Sequence, residues 1–346
     1  MARLRSRRRP QAGAPARSWA CVFVALAVTA GLVAASGCSA GTTSSSDSQA
    51  APPSPHASAS GGGTHGCGGQ RLSCAQLVAL GLSYPYPREP GSYLFVNGVA
   101  FPYVSLGHRS LMAATVRAGG MVLSARALLD RLGLAGQAGE SLTPVIAYGA
   151  NANVDALTRK FVTSDFSGPA VVPVTKGTLQ NFDVTWSPQL VFNGAMPATI
   201  VSSPGTTVSV WITWLDPAEL AEMNATEGVG TLYSYGFLSG VRLDMPGPTV
   251  TRPGIYVDCF GALKVHGRVL AISGVPASHR RFTAVGSSGA LAQVAAVLGW
   301  RGSVFDLLLE NVRSPALLAS RSRSLETLSV RLPERGYTAT SRCSQG

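Results

Sequence analysis

The chain has 346 residues, of which 46% are hydrophobic and 13% are charged. This length permits one large domain or two ordinary ones, and the apolar fraction excludes a chain that is disordered throughout. Residues 1–37 hold six arginines and no acidic residue; without these six, 22 basic and 17 acidic residues remain, and the formal net charge falls from +11 to +5. The remaining basic residues are scattered, which argues against nucleic acid as a partner.

The amino terminus has the layout of a secretory signal, in which arginines precede an apolar run of about 17 residues, from Trp19 to Ala35. The run is at the short limit for a permanent membrane span. Residues 35–38 read Ala-Ser-Gly-Cys, which resembles the lipobox of bacterial lipoproteins. The resemblance implies cleavage before Cys38, acylation of its thiol and new amine, and a lipid anchor on the outer face of the cell membrane. The alternatives are an ordinary signal peptide with an incidental cysteine, or an uncleaved anchor; both also place the domain outside the cytoplasm.

A low-complexity segment follows the signal. Residues 38–66 are rich in Ser, Gly, Ala, Thr and Pro, cannot bury apolar area, and are predicted to be a flexible tether. The globular part is expected to begin near Cys67. We therefore divide the chain into a signal peptide (1–37), a tether (38–66), an amino-terminal extension (67–142) and a main domain (143–346).

Two of the six cysteines lie in or directly after the signal, which leaves four in an oxidising compartment. These four disulfide candidates are Cys67, Cys74, Cys259 and Cys343. The simplest pairing joins Cys67 to Cys74 and Cys259 to Cys343, although four cysteines allow three connectivities. Free buried thiols are the alternative.

The sequence contains no recognisable metal or nucleotide motif. The cysteines lack the close spacing of zinc ligands, and the five histidines are dispersed. No HExxH motif is present, and the one GxSxG pattern, at residues 37–41, lies at the predicted cleavage site and not in the globular part. We therefore predict neither a metal nor a cofactor.

The extension predicts two helices around a hairpin. Residues 74–80 have a helical pattern that the alternating Tyr-Pro sequence at 84–87 ends. Residues 93–101 are typical of a β-hairpin, because the Asn-Gly pair at their centre favours a type I′ turn. Residues 124–132 predict the second helix. The aromatic residues of this segment are interpreted as core or as a covering flap.

The main domain begins with a strand, a glycine turn and a helix. The apolar run 145–148 predicts a buried strand, and it leads into Gly149, Ala150 and Asn151. Residues 154–161 then carry an apolar stripe at helical spacing, with Asn151 or Asn153 as the cap. Such a junction presents free backbone N–H groups and the positive end of a helix dipole, which favour carboxylate binding.

Two predicted strands, 197–201 and 207–214, flank a turn at Ser203-Pro204-Gly205. A clear helix start follows at 216–219, where aspartate caps, proline fills the first turn and glutamate completes a capping box. Farther on, residues 291–298 and 303–312 predict two packing helices.

The apolar stripe of the helix after Asp216 contains Leu220 and Met223, and four residues later it reaches Glu227. A carboxylate on an apolar face is expected to have a raised pKa or a dedicated partner, which suits a general base. The alternative is that the helix ends near Asn224 and that Glu227 is exposed.

The order of these segments resembles the γ-glutamylcyclotransferase-like family. In that family a Tyr-Gly-Ser-Asn turn follows the first strand, and residues 148–151 here read Tyr-Gly-Ala-Asn. The family's catalytic glutamate precedes a glycine and a later tyrosine, as Glu227 precedes Gly228 and Tyr233. The resemblance covers about residues 143–260 and implies an α+β fold, a small mixed β-barrel with flanking helices.

The resemblance also implies roles for particular residues. Tyr148, Gly149, Ala150 and Asn151 match the substrate-binding turn, whose backbone N–H groups hold the glutamyl carboxylate. Glu227 matches the general acid and base, and Tyr256 matches a tyrosine on a later strand of the pocket. Alanine stands at position 150 where the family has serine.

The implied reaction is attack by the α-amine of an L-γ-glutamyl group on its own γ-carbonyl, which gives 5-oxoproline and a released amine. The nucleophile is intramolecular, so the protein has only to fold the substrate back on itself and to move one proton. The expected ligand is a small γ-glutamyl compound or peptide. Two other hypotheses are a non-catalytic lipoprotein that binds a glutamyl ligand, and a structural envelope lipoprotein.

Overall fold

The computed structural model describes residue 67 and residues 72–108, 110–137, 139, 141–332 and 335–344. The predicted signal peptide, the tether and Cys38 lie outside the described residues. All described residues belong to one compact unit, 62–346. Among them, no helix has both the length and the apolar character that a membrane span requires.

The described part of the chain forms seven α-helices, most of which begin at a polar cap. They are α1 (Cys74–Leu82), α2 (Ala125–Arg131), α3 (Val154–Phe161), α4 (Pro217–Thr226), α5 (Ser287–Val297), α6 (Val304–Arg313) and α7 (Pro315–Leu325). Ser73, Asp216 and Ser303 each complete a capping box, at α1, α4 and α6. The helices predicted from cap and stripe patterns are therefore confirmed, with ends shifted by a few residues.

The described residues also form β-strands, whose lengths range from two residues to 18 residues. They are β1 (Tyr93–Val96), β2 (Val99–Ser105), β3 (Thr115–Ala118), β4 (Met121–Ser124), β5 (Thr143–Ala147), β6 (Val171–Trp186), β7 (Ala198–Leu215), β8 (Tyr233–Leu238), β9 (Leu243–Asp244), β10 (Gly254–Asp258), β11 (Ala262–Val265), β12 (Arg268–Ile272), β13 (Ala277–Ser278), β14 (Thr283–Val285), β15 (Ser329–Val330) and β16 (Tyr337–Ala339).

One large mixed sheet connects these strands in the order β16-β8-β10-β5-β7-β6-β1-β2-β3-β4, with the others attached beside it. β5 and β10 are parallel, and β5 and β7 are antiparallel. The α+β class is confirmed, but the predicted closed barrel is wrong, because the end strands β16 and β4 do not pair. Residues 171–174 of β6 pair with β1, so the strands of the extension lengthen the sheet at this edge.

The pair β6 and β7 corrects the prediction of two strands around a turn at residues 203–205. Gln180 lies opposite Thr207 and Phe182 lies opposite Ser202, so residues 203–206 bulge out opposite Asn181 within one continuous strand. The Asn181 side chain accepts a hydrogen bond from the Gly205 N–H at 2.9 Å. This contact closes the bulge, and both strands continue through it.

The extension joins the main domain through the hairpin β1–β2. Asn97 and Gly98 both have positive φ angles, 46° and 93°, as a type I′ turn requires, so the predicted hairpin is confirmed. β1 is fully buried between β2 and β6. The extension is thus part of the same sheet as the main domain.

The disulfides join Cys67 to Cys74 and Cys259 to Cys343, which confirms the simplest predicted pairing. The first lies at the start of α1. The second connects the segment after β10 to the carboxy-terminal segment after β16.

Two buried clusters lie on opposite faces of β5, since successive side chains of a strand point to opposite sides. Ile146 and Tyr148 belong to the cluster that includes residues of α1, α5 and α6. Val145 and Ala147 belong to the cluster that includes residues of α3 and α4. The turn after β5 therefore emerges between two helical layers.

Candidate functional site

A cleft of about 1340 Å³ opens where β5 ends, α3 begins and α4 ends. It is lined by all six of the residues to which the family resemblance assigns a role. They are Tyr148, Gly149, Ala150, Asn151, Glu227 and Tyr256. Segments that are far apart in the sequence therefore meet at one cavity.

The floor of the cleft is the turn between β5 and α3. Residues Ala150–Ala152 form a single 3₁₀ turn, and the Asn153 side chain caps α3 by accepting the Ala156 N–H at 2.8 Å. Of the two predicted caps, Asn153 is thus the cap. The N–H groups that start a helical turn have no partner within it, so this turn presents backbone donors suited to a carboxylate.

Asn151 has a different role from Asn153. Its Oδ1 is buried, and no hydrogen bond to it occurs within the described residues. A buried polar atom without a partner is costly. Because Asn151 lines the cleft, this oxygen is suited to accept a hydrogen bond from a ligand, such as an ammonium group.

Glu227 directly follows α4, and its N–H still bonds to the Met223 carbonyl at 3.0 Å. Its side chain is 16% exposed, and its Oε1 lies 2.7 Å from Nζ of Lys160. The Lys160 ammonium also donates to Thr226 Oγ1 at 2.7 Å. Glu227 is therefore neither exposed nor unpaired: a lysine of α3 holds one of its oxygens, while no described residue donates to Oε2.

Sequence reasoning missed Lys160, because nothing in the spacing of α3 indicates which face packs against the end of α4. It predicted a partner for Glu227, which Lys160 provides, but it did not identify the fully buried acid of the same helix. Glu219 is the buried carboxylate: it accepts the N–H groups of Val171 and Asp216, each at 2.9 Å. Burial raises the pKa of Glu219 to about 7, although the two backbone donors lower it. Glu219 does not line the cleft and has a structural role.

Three tyrosines connect the walls of the cleft. Tyr148 donates to the Tyr256 carbonyl at 2.6 Å, and Tyr256 donates to Asn224 Oδ1 at 2.8 Å. Tyr233 donates to the Ala198 carbonyl at 2.8 Å. Burial raises the pKa of each hydroxyl well above its ordinary value, so all three stay protonated donors. The Tyr256 hydroxyl thereby ties the end of α4, just before Glu227, to β10.

The extension forms one wall of the cleft. The sequence predicted only that its aromatic residues belong to the core or to a covering flap. Tyr84 and Tyr86 line the cavity. Arg88 donates to the Tyr148 carbonyl at 3.2 Å and to the Gly274 carbonyl at 2.8 Å. Within the described ranges, no group of three or more His, Cys, Asp or Glu side chains is placed to hold a metal ion.

Comparisons with known proteins complete the description of the site. No family model matches the chain, and no curated protein sequence matches it. A solved structure titled "Gamma-glutamyl cyclotransferase" is similar over 59% of this chain and 95% of that chain, with 15% sequence identity and a TM-score of 0.28. At this identity and TM-score, the likeness does not assign the chain to a family.

Proposed function

We propose that the protein is a γ-glutamyl cyclotransferase-like enzyme that converts an L-γ-glutamyl group to 5-oxoproline and releases an amine. One observation carries the proposal: the Gly149–Asn151 turn and the Glu227 carboxylate line the same cleft. The motif resemblance gives this pair its proposed roles, a carboxylate-binding turn and a proton-transferring acid.

The proposed reaction requires one bond to form and one to break. The free α-amine attacks the γ-carbonyl carbon, and the bond from that carbon to the leaving nitrogen breaks. Glu227 takes a proton from the attacking nitrogen and returns it to the leaving amine. The Lys160 contact leaves Oε2 of Glu227 available for this transfer, while backbone donors of the turn hold the glutamyl carboxylate.

The size of the cleft suits a substrate larger than a glutamyl group alone. A volume of about 1340 Å³ exceeds the usual range for small-ligand pockets, roughly 300–1,000 Å³. Leu190, Val191 and Phe192 line part of it. The released amine is therefore proposed to be a sizeable group or a peptide, bound along this apolar part.

The test is turnover of a panel of γ-glutamyl amines and peptides by the full chain, with 5-oxoproline quantified by mass spectrometry. We expect Glu227→Gln to lower kcat by about 100- to 10,000-fold, the usual contribution of a general acid–base group. Glu310→Gln is the matched control, because Glu310 lies on α6 in an ion pair with Arg321 outside the cleft. Wild-type protein that releases 5-oxoproline from none of these compounds would refute the enzyme assignment.

A non-catalytic glutamyl-binding protein is the second candidate. The specific observation in its favour is the ion pair of Glu227 with Lys160, whose ammonium lies 2.7 Å from Oε1. The positive charge of the lysine balances the negative charge of the carboxylate. Calorimetry followed by mass analysis of the recovered ligand separates the two: a binder returns the γ-glutamyl compound intact, and the enzyme returns 5-oxoproline and the amine.

The lipid anchor at Cys38 is part of the same proposal and places the enzyme on the outer face of the cell membrane. Cleavage before Cys38 with acylation predicts a mature chain that begins at this cysteine and carries acyl mass. Intact-mass analysis of the membrane fraction tests it, and a mature chain that begins elsewhere without acyl mass would contradict it.

A further inference from the structure

We propose that the Tyr84 hydroxyl, supplied by the amino-terminal extension, binds the α-carboxylate of the glutamyl group. Ala150 has no hydroxyl to offer a ligand, and Tyr84 places one beside the turn. The inference rests on the proposed function and names a substrate-binding residue outside the part of the chain that the family resemblance covers.

The first observation is the position of the hydroxyl. A Cβ atom on Gly149 would lie 2.6 Å from Tyr84 Oη, so the hydroxyl touches the backbone of the turn and only glycine leaves room for it. Both residues line the cleft. The phenol therefore lies directly beside the backbone donors of the turn.

The second observation concerns the proton of this hydroxyl. Tyr84 Oη accepts the Ala198 N–H at 3.0 Å, which occupies it as an acceptor. Among the described residues, none accepts a hydrogen bond from the Tyr84 O–H. Burial raises the pKa of Tyr84 far above neutral pH, so the proton stays on the oxygen and is available to a ligand.

The third observation is that the Tyr84 ring is held rigidly. Its ring centroid lies 5.8 Å from that of Trp186 and 5.3 Å from that of Tyr86. The Tyr86 hydroxyl accepts a hydrogen bond from Asn193 Nδ2 at 3.0 Å. Arg88, four residues after Tyr84, donates to the carbonyl groups of Tyr148 and Gly274. A donor that is already fixed loses little entropy when it binds a ligand.

These observations give the site a donor set for a carboxylate. The backbone N–H groups of the turn and one phenolic O–H are close together, and hydrogen bonds to a charged acceptor are the strong ones. The methyl group of Ala150 offers no donor. The extension thus supplies, from another part of the chain, the hydroxyl that the turn itself lacks.

The experiment compares two ligands by calorimetry. The first is 5-oxoproline, which keeps the α-carboxylate, and the second is 2-pyrrolidinone, the same ring without it. We expect Tyr84→Phe to weaken 5-oxoproline binding by about 10- to 100-fold, the range for a hydrogen bond to a charged group, and to leave 2-pyrrolidinone binding unchanged. In turnover, KM should rise by a similar factor with a smaller change in kcat, because the contact is made equally in the ground and transition states.

Thr175→Val is the matched control. Thr175 Oγ1 accepts the buried Trp214 Nε1–H at 2.9 Å. The Thr175→Val variant therefore leaves a buried N–H without its hydroxyl acceptor, as Tyr84→Phe does for the Ala198 N–H. Thr175 and Trp214 do not line the cleft. Both variants are expected to lose similar stability, and only Tyr84→Phe is expected to lose affinity for 5-oxoproline.

The outcomes separate this inference from the proposed function. If wild-type protein turns over a γ-glutamyl compound and Tyr84→Phe binds 5-oxoproline with unchanged affinity, the role of Tyr84 is refuted and the enzyme assignment stands. If wild-type protein neither binds nor turns over these compounds, the proposed function fails, and the role of Tyr84 fails with it. Should Tyr84→Phe not fold, 3,5-difluorotyrosine at position 84 keeps the ring and provides a stronger donor; it should tighten 5-oxoproline binding, and unchanged affinity would refute the role.

Discussion

At the scale of single residues, the two acids at the ends of α4 have opposite environments. Glu227 lies at the edge of a large cleft, with Lys160 at 2.7 Å on one oxygen. Glu219 is buried away from the cleft and accepts only backbone N–H groups. An acid that transfers protons needs access to a ligand, and an acid that completes a cap does not. Position on the helix, more than burial alone, therefore separates the proposed catalytic acid from the structural one.

The raised pKa of Glu219 predicts a pH dependence of stability. Its pKa is about 7 in the folded chain, against 4.5 for an ordinary glutamate, so the folded state binds more protons than the unfolded state between these values. This contribution is fully present below about pH 4.5 and is lost as the pH rises to about 7, by roughly 3 kcal/mol in total. We expect Glu219→Gln to flatten this part of the curve in denaturant titrations at pH 5 and pH 8. The same slope in the variant and the wild type would contradict the prediction, and Glu310→Gln, with a half-exposed side chain, is the control.

At the scale of elements, α4 holds Glu227 because both of its ends are fixed. Asp216 and Glu219 form a capping box at the start. At the other end, Tyr256 donates to Asn224 and Lys160 donates to Thr226. The helix is short, so a shift at its start is transmitted to the residue that follows its last turn.

We therefore predict that Asp216→Ala costs about 1 kcal/mol of stability, the usual loss for an N-cap, and also lowers turnover of a γ-glutamyl substrate. Ser303→Ala is the control, since Ser303 caps α6 with the same type of box and α6 does not line the cleft. Thermal unfolding should show similar losses for the two variants, and kinetics should show a loss only for Asp216→Ala. Equal kcat in both variants would mean that the start of α4 does not position Glu227.

At the scale of the whole described molecule, one sheet joins the extension, the main domain and the carboxy-terminal strand. β1 pairs with β6 on one side, and β16 pairs with β8 on the other. The Cys259–Cys343 disulfide ties the carboxy-terminal segment to the segment after β10. The wall of the cleft that contains Tyr84 likewise depends on residues far apart in the chain, because Tyr84 packs beside Trp186 and accepts the Ala198 N–H.

The two disulfides are predicted to differ in their effect on stability. Cys259 and Cys343 are separated by 84 residues and Cys67 and Cys74 by 7, and the entropy that a crosslink removes from the unfolded chain grows with loop length. We expect about 4–5 kcal/mol of destabilisation in Cys343→Ser and about 2 kcal/mol in Cys74→Ser, measured by denaturant unfolding under oxidising conditions. A larger loss in Cys74→Ser would contradict the loop-length argument.

Local patterns were sufficient where local physics decides the structure. The cap at Asp216, the Asn97-Gly98 turn and the helix after Asn153 are confirmed, because each depends on hydrogen bonds or backbone angles within a few residues. The predicted turn at residues 203–205 is wrong, because the Asn181 side chain that closes the bulge there comes from the neighbouring strand. The closed barrel was wrong, since pairing of β6 with β1 involves an extension that the family pattern does not contain.

The amino-acid sequence by itself determined the helix starts and the hairpin, and it indicated the four disulfide candidates, the residues of the turn and Glu227; the structure decided among the three possible disulfide connectivities. Only the tertiary structure decided that these residues share a cleft, that Lys160 pairs with Glu227, and that Tyr84 reaches Gly149. The physical reason is the separation along the chain of the residues that interact. Capping and turn formation act over a few neighbouring residues, whereas the contacts of the cleft join segments whose proximity depends on the pairing of the whole sheet and on the packing of its helices.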